Sequence, residues 1–518
     1  MDVKTIIRRF AEYHADKTAV VYGDDRFTFK QVNERSVRLA NGLRELGVER
    51  NDRIGTVLGN CPQYIEAMFA KHKINAVDVI LSPRISTADL EYQINDAEIH
   101  TLIVGNEYIS QLPERSKIPG VKNFIAVFGA PRDWLGYEKI LAGASAVEPE
   151  GEGDNQELGH IVYTSGTTGK PKGIMWRRDS YFLVARNILL DLLPDLNKND
   201  IFLGLQPIYH AVSSFVLPCW IRGVAQVIAP KFDAEVIFPL IEKENVTIIK
   251  TIPTLINRYI AHPDLGKHRF DGVRSIIYGA SPIATDKLKQ AIHIFGQVFV
   301  QNYGQSEAPL TLCCLRKEEH VVEGRPEEVA LLASVGRPYT MVKLKIVDEG
   351  GKEVAPGALG EIIIQSDHAM MGYLNRPEET RAKLIDGWIH TGDIGKIENG
   401  YVFLMDRKGE MIISGGLNVY PNEVEQVVNA HPAVLEACVF GVPDEKWQEA
   451  VKVAVVLKPG MTATEDEIIG FCKEHLASYK KPQSVDFMDT LPKNAQGKIL
   501  RRELRAPYWK QYTRTIGG

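Results

Sequence analysis

None of the six cysteines (Cys61, Cys219, Cys313, Cys314, Cys438 and Cys472) lies in a C-x-x-C pair. That argues against a zinc ribbon and against a disulfide framework, and leaves the thiols as small buried side chains. No stretch reaches the ~20 consecutive apolar residues of a membrane-spanning helix. The opening residues "MDVKTIIRRFAEYHADKTAVV" mix charged and apolar side chains and carry no uninterrupted secretory core. There is no excess of positive charge: the net charge is −5, the pI is near 6.3, and the basic runs "KPKGIMWRR" and "KILRRELR" are short. Nucleic acid is therefore not an expected partner. Repeats and low-complexity segments are also missing. A cytoplasmic enzyme is the expectation that remains.

What is there is an ordinary globular balance, 44% hydrophobic and 25% charged, in a chain of 518 residues. At ~150 residues per domain this allows about three or four structural units. Residues 4–14 and 29–47 have helical spacing, and "TAVVYGDDRFTF" between them reads as a hairpin turning at Gly23-Asp24-Asp25. From about residue 53, short apolar runs alternate with amphipathic stretches ("RIGTVLG", "YIEAMFAKHKI", "AVDVILS", "TADLEYQINDA", "HTLIVG"). The rhythm returns in "VAQVIAP", "AEVIFPLIEKENV", "TIIKTIP" and "VRSIIYGA". Strand–helix–strand alternation predicts an α/β fold of layered parallel sheets. After about 340 the texture changes to short antiparallel strands with Gly/Pro turns, a small β-subdomain. The last ~110 residues read as a small α+β unit. The boundary is placed at Asp406, giving a core over 1–405 and a smaller domain over 406–518.

The densest chemical signal is "YTSGTTGKPKG", residues 163–173. It is not a Walker loop, because Gly166 and Gly169 are too close and Pro171 follows Lys170. Its physics is similar all the same. Glycines let backbone N–H groups approach an anion, while Thr164, Ser165, Thr167 and Thr168 offer hydroxyls and Lys170 and Lys172 offer charge. A phosphate compound is the expected ligand.

Five further motifs follow in order: "PIYH" (207–210), "NYGQSE" (302–307), "GWIHTGDIG" (387–395), "DRKGEMIISGGLNVYPNEVE" (406–425) and "PKNAQGKILRREL" (492–504). Together with the glycine-rich loop, this set resembles the signature of the AMP-forming adenylate enzymes. That superfamily includes acyl-CoA synthetases, adenylation domains and beetle luciferase. The resemblance spans nearly the whole chain. It implies activation of a carboxylic acid by ATP, with Mg2+, followed by transfer of the acyl group to a thiol.

The resemblance also assigns roles. Residues 163–173, with Ser165, Gly166, Thr167, Thr168, Gly169, Lys170 and Lys172, would hold the phosphates that leave as pyrophosphate. Thr164 and Glu307 would help place Mg2+. Ser306 stands where the family usually has Thr, and keeps the hydroxyl. Tyr303 would stack on adenine, with Asn302 and Gly304 beside it and Gly279 and Ala280 of "YGASP" forming the close wall. Asp393 would accept from both ribose hydroxyls, and Arg407 would reach the ribose. Lys498 would be the catalytic lysine bridging the α-phosphate and the carboxylate. Asp406 matches the family's hinge, about which the small domain rotates between half-reactions. After rotation Ser414, Gly415 and Gly416 would line the pantetheine tunnel, next to Leu417 where a polar residue is usual. His210 would sit at the rim between acyl pocket and tunnel.

The acyl pocket is expected from 207–215, 276–282 and 302–312, with Tyr209, Ala211, Ser213, Gly279, Ala308 and Pro309 on its walls. These segments hold no Asp or Lys to pair with a second charge on the acid, which disfavours amino-acid substrates. A medium-chain or branched fatty acid and an aryl acid both fit. CoA is the expected acceptor, since the chain ends about twenty residues after Lys498 with no carrier domain. A separate acyl-carrier protein, or a catalytically silent nucleotide-binding regulator, stay open as alternatives. The sequence does not set the oligomeric state; a homodimer is compatible with it.

Overall fold

The structure, a computed structural model, describes residues 2–151, 153–164, 170–493 and 498–509. The expected opening is present. A helix over Val3–Tyr13 starts at Asp2, whose carboxylate accepts from the Thr5 N–H, and leads into the hairpin Thr18–Tyr22/Asp25–Thr28. Thr28 then caps the helix Phe29–Glu45 in a reciprocal bond with Gln31, which is why the chain changes from strand to helix there.

Two large sheets carry the core. In one, Arg53–Val57, Val77–Ile80, Thr101–Gly105 and Asn123–Val127 run parallel, and Leu158–Thr164 joins beside Val77–Ile80. In the other, Ala225–Ile228, Ile201–Gly204, Ile248–Lys250, Ser275–Gly279 and Phe299–Tyr303 run parallel in that spatial order. Ile54, Ile103 and Ile125 of the first sheet and Phe202, Ile248, Ile277 and Val300 of the second face one shared core. Helices fill the gap between the sheets, and Phe69, Phe215 and Trp220 are among their buried side chains. Residues of opposite parity, such as Ile249 and Ile276, face an outer core with Ile237, Ile256 and Leu288. This is the alternation that sheets buried on both faces require.

The helix Pro62–Lys73 lies wholly inside that middle layer, all twelve of its residues buried. Its charges are therefore paired. Glu66 meets Arg35 at 2.7 Å, Lys73 meets Glu148 at 2.7 Å, and Lys71 meets Asp78. An unpaired charge at such a depth is costly.

The expected change of texture after 340 is present as antiparallel strands Val342–Val347, Gly360–Ser366, Trp388–Glu398 and Tyr401–Arg407. The smaller C-terminal unit follows. Strands Val434–Asp444 and Gln448–Leu457 pair along their length, and helices Pro421–Ala430 and Glu465–His475 pack on them around a separate core of Val424, Val439, Val453 and Ile468. The fold is thus α/β with a large N-terminal and a smaller C-terminal part. All six cysteines are buried and free. No helix of the described residues is long and apolar enough to cross a membrane.

Candidate active site

The C-terminal ends of parallel strands are where open α/β sheets build ligand sites. Here three strands of one parallel sheet end in the sequence motifs: Ile201–Gly204 before "PIYH", Ser275–Gly279 before Ala280, and Phe299–Tyr303 before "GQSE". In front of them lies a cleft of about 270 Å³. Its lining includes Gly279, Ala280, Asn302, Tyr303, Gly304, Asp393, Asp406, Arg407 and Lys498, residues spread over some 220 positions of sequence.

Backbone geometry makes the wall of the cleft. A methyl group on Gly279 would lie 2.2 Å from the Asn302 carbonyl, and one on Gly304 would lie 2.5 Å from the Leu310 backbone. Ala280 holds φ +71°, a left-handed conformation that costs a non-glycine residue free energy and is found preferentially at functional sites.

Asp393 is the centre of the polar wall. Its Oδ2 accepts from the Tyr303 hydroxyl and from Gln305 Nε2 at 2.6 Å, and Arg407 Nε lies 3.2 Å from its Oδ1. Gln305 also donates to the Thr391 carbonyl at 3.0 Å, as does Lys383 Nζ at 2.9 Å. Burial, with the Asp393 carboxylate next in importance, holds the Tyr303 hydroxyl well above its usual pKa, so it stays a donor. Lys383 is lowered by burial, opposed by the nearby Glu307 and Asp393.

Glu307 is positioned from far away in sequence. The Tyr373 hydroxyl donates to its Oε1 at 2.7 Å, and Tyr373 pairs with Ile174 on the strand Lys172–Arg177. That strand returns from Leu158–Thr164, so Thr164 stands opposite Lys172. Lys172 forms an ion pair with Glu379 and lies 5.2 Å over the Tyr373 ring, while Lys170 lies 5.0 Å over Tyr92. The Ser306 carbonyl accepts from the Trp176 indole at 2.8 Å. Ser165, Gly166, Thr167, Thr168 and Gly169 lie outside the described residues, as does Gly497. Among the described residues no group of three His, Cys, Asp or Glu side chains could cage a metal. Mg2+ takes most of its ligands from phosphates and water, so the expectation for Glu307 and Thr164 does not require such a cage.

His210 interrupts a helical turn with φ −125°, ψ −141°, its ring 4.7 Å from that of Tyr209. Burial lowers its pKa to about 4, so the imidazole is neutral at physiological pH. Tyr209 and Ala308 are buried. Ser213 donates to the His210 carbonyl at 2.7 Å and meets the Tyr181 hydroxyl at 3.0 Å, so its hydroxyl stabilises the turn and does more than leave room. Strand Ile248–Lys250 lies between two strands that lead into the expected pocket segments, and it carries a buried lysine, Lys250, of a kind those segments lack.

The small unit contributes Lys498 and Arg501. Lys498 is open to the cleft yet ringed by protein; burial lowers its pKa, with Arg407 reinforcing the shift and Glu410 opposing it. Arg501 bonds Glu410, meets Glu425 at 2.9 Å, and stands 3.7 Å from Asp406. Burial raises the Asp406 pKa to about 6, against the pull of Arg501. Its carboxylate accepts from the Arg407 and Asn422 N–H groups, linking the last strand of the large part to helix Pro421–Ala430. Gly415 and Gly416 have a local reason to be glycine that the tunnel expectation overlooked. Ser414 pairs with Leu417, leaving both glycines in a two-residue hairpin turn with φ +59° and +80°.

The motif reading passed over Gln305, Trp176, Tyr373, Lys383 and Arg501 as site residues. Gln305 was inside a quoted motif, and its spacing from Tyr303 was the available signal. Tyr373 and Trp176 carried none, because their partners come from other strands.

Comparison with known proteins shows the family. The AMP-binding enzyme profile matches residues 7–374, and the AMP-binding enzyme C-terminal domain profile matches 423–498. A medium/long-chain-fatty-acid–CoA ligase of Mycobacterium tuberculosis is 32% identical over 97% of this chain and 90% of its own. A 2-succinylbenzoate–CoA ligase of Bacillus mycoides is 33% identical over 95% of each. Among solved structures, an anthranilate CoA ligase in complex with anthranoyl-AMP superposes with a TM-score of 0.90 at 26% identity, covering 98% of this chain and 97% of that one. The o-succinylbenzoate CoA synthetase of Bacillus subtilis gives 0.83 at 27% identity, covering 96% and 97%. With the profiles spanning most of the chain and the cleft built from their motifs, the chain belongs to the AMP-binding enzyme family, to its AMP-forming acid–thiol ligases.

Proposed function

We propose that this enzyme activates a medium-chain, branched or aromatic carboxylic acid as its acyl-adenylate and passes the acyl group to CoA. The observation that supports this most is the composition of the cleft. Tyr303 and Asp393 of the large part, with Arg407 at the junction, line one space together with Lys498 of the small part. That is a nucleoside site and a cation meeting where a carboxylate would attack.

The substrate carboxylate is ionised at neutral pH, so the first step needs no general base. It needs alignment with the α-phosphorus and stabilisation of the charge that develops there. In this reading Tyr303 and the Gly279–Ala280 wall hold adenine, and Asp393 turns its oxygens from Tyr303 and Arg407 to the ribose hydroxyls. Lys498 bridges the α-phosphate and the carboxylate. The carboxylate oxygen bonds to phosphorus as the bond to pyrophosphate breaks. Mg2+, held near Glu307 and Thr164, would supply charge neutralisation on the phosphates. The CoA thiolate then attacks the acyl carbon, and AMP leaves. In this reading the small domain, 406–518, rotates about Asp406 between the steps, bringing Ser414, Gly415 and Gly416 to the acceptor side. Neutral His210 lines the rim, where it orients the acyl group without adding charge.

The test is pyrophosphate release from Mg-ATP across straight-chain, branched and aromatic acids, with and without CoA. A CoA-dependent formation of thioester and AMP is expected, and Lys498→Ala should slow the adenylation step by about 100-fold or more. Adenylation with no response to CoA would direct the acyl group to a carrier protein instead. An enzyme that binds ATP and turns over no acid would refute the ligase reading.

A further inference from the structure

Three lysines of the core have almost no solvent exposure: Lys71 at 2%, Lys73 at 0% and Lys250 at 1%. Lys71 has Asp78 and Lys73 has Glu148. Among the described residues Lys250 has no such partner; its ammonium donates to the carbonyl of its own neighbour, Thr251, at 3.1 Å. An ammonium carries three N–H donors, and burial is the sole influence on its pKa, which falls to about 7. Among the described residues no charged side chain, of either sign, tunes it.

The pleat of the sheet tells where this group points. Ile248 packs in the inner core and Ile249 in the outer one, so Lys250 returns to the inner side. In register beside it stand Gly204 on one strand and Ile277 on the other. Gly204 is pressed against Val212 of the "PIYH" turn; a methyl there would lie 2.6 Å from the valine. Ile277 leads within two residues to Gly279, which pairs with Asn302. Lys250 thus sits at the C-terminal edge of the sheet, on the inner face, between the strands that deliver segments 207–215 and 276–282. Those are the walls assigned to the acyl group.

Resting on the ligase reading above, we propose that Lys250 is a specificity-determining residue whose ammonium pairs with an anionic oxygen, a second carboxylate, at the far end of the acid. A cation kept without a partner in a low-dielectric site is destabilising unless something that binds there compensates it. A diacid does so and a hydrocarbon tail does not. The selectivity arises as it does for any buried polar anchor: the matched substrate satisfies it and the unmatched one leaves it orphaned.

Matched acids test this in ATP–pyrophosphate exchange: suberate against octanoate, adipate against hexanoate, and 2-succinylbenzoate against 4-oxo-4-phenylbutanoate. For at least one pair the wild type should favour the diacid, and Lys250→Met should lower that ratio of kcat/KM by about 100-fold or more, mainly through KM. Thermal shifts with ATP present give a readout apart from turnover. The diacid should stabilise the wild type more than its monoacid partner does, and the difference should vanish in Lys250→Met. Methionine keeps the length of the stem and removes a lone buried charge, so the variant should fold. A ratio that stays within about threefold on substitution, or a wild type that rejects every diacid while using the monoacids, would overturn the assignment of Lys250. A wild type that turns over no acid would instead overturn the ligase reading beneath it.

Discussion

Gln305 is the side chain whose removal should be most informative about the nucleotide. It donates to Asp393 Oδ2 and to the Thr391 carbonyl, fixing the carboxylate from one side while Arg407 holds the other. Gln305→Leu removes both bonds and leaves a buried carbonyl with one donor fewer. A rise of about tenfold in the KM for ATP is expected, corresponding to about 1.4 kcal/mol, with the KM for the acid little changed. An unchanged ATP KM would mean that Asp393 is held well enough without it. Lys250 lends itself to a stability measurement. The unfolded chain keeps this lysine protonated up to 10.5, the folded chain only to about 7. Between those values the unfolded state binds more protons, so stability from this group rises with pH. The cost of burying the ammonium is full below pH 7 and relieved as pH approaches 10.5. Lys250→Met should therefore gain several kcal/mol near pH 6 and much less near pH 10, read from denaturant midpoints. An equal gain at both values would mean that its charge is not the cause.

At the scale of elements, the close approach between Ser275–Gly279 and Phe299–Tyr303 leaves no room at Gly279. Gly279→Ala drives a methyl against the Asn302 carbonyl, a backbone atom that cannot swing aside. The strands must part, and ATP binding measured by calorimetry should weaken at least tenfold while the fold persists; wild-type affinity would show that the strands separate at little cost. The same elements show what could be read beforehand. Short apolar runs alternating with amphipathic stretches located the strands and helices, because that pattern is local. The ordered motifs located Tyr303, Asp393 and Lys498 for the same reason. Tyr373 was invisible because it reaches Glu307 across sixty-six residues. Lys250 was overlooked because its proposed role depends on which face of a strand it occupies and on the lack, among the described residues, of a carboxylate beside it. Neither property is local. Gly415 and Gly416 were read for a tunnel when a tight hairpin already demanded them.

At the scale of the molecule, Arg501 ties the small unit to the boundary residue Asp406. It gathers Asp406, Glu410 and Glu425, three carboxylates that would repel one another without it. Arg501→Gln should therefore lower adenylation at least tenfold and leave thioester formation from a supplied acyl-adenylate much less affected, since the second step is proposed to use another arrangement of the domains. Equal losses in both half-reactions would contradict that view. The cleft also divides its labour unevenly. The segments assigned to the acyl group all precede residue 313, within the large part, whereas Lys498 comes from a unit with a hydrophobic core of its own. On the proposed assignments, choice of acid and delivery of the catalytic charge belong to parts with separate hydrophobic cores. Such an enzyme could change its diet by altering one strand and keep unchanged the part that supplies the charge.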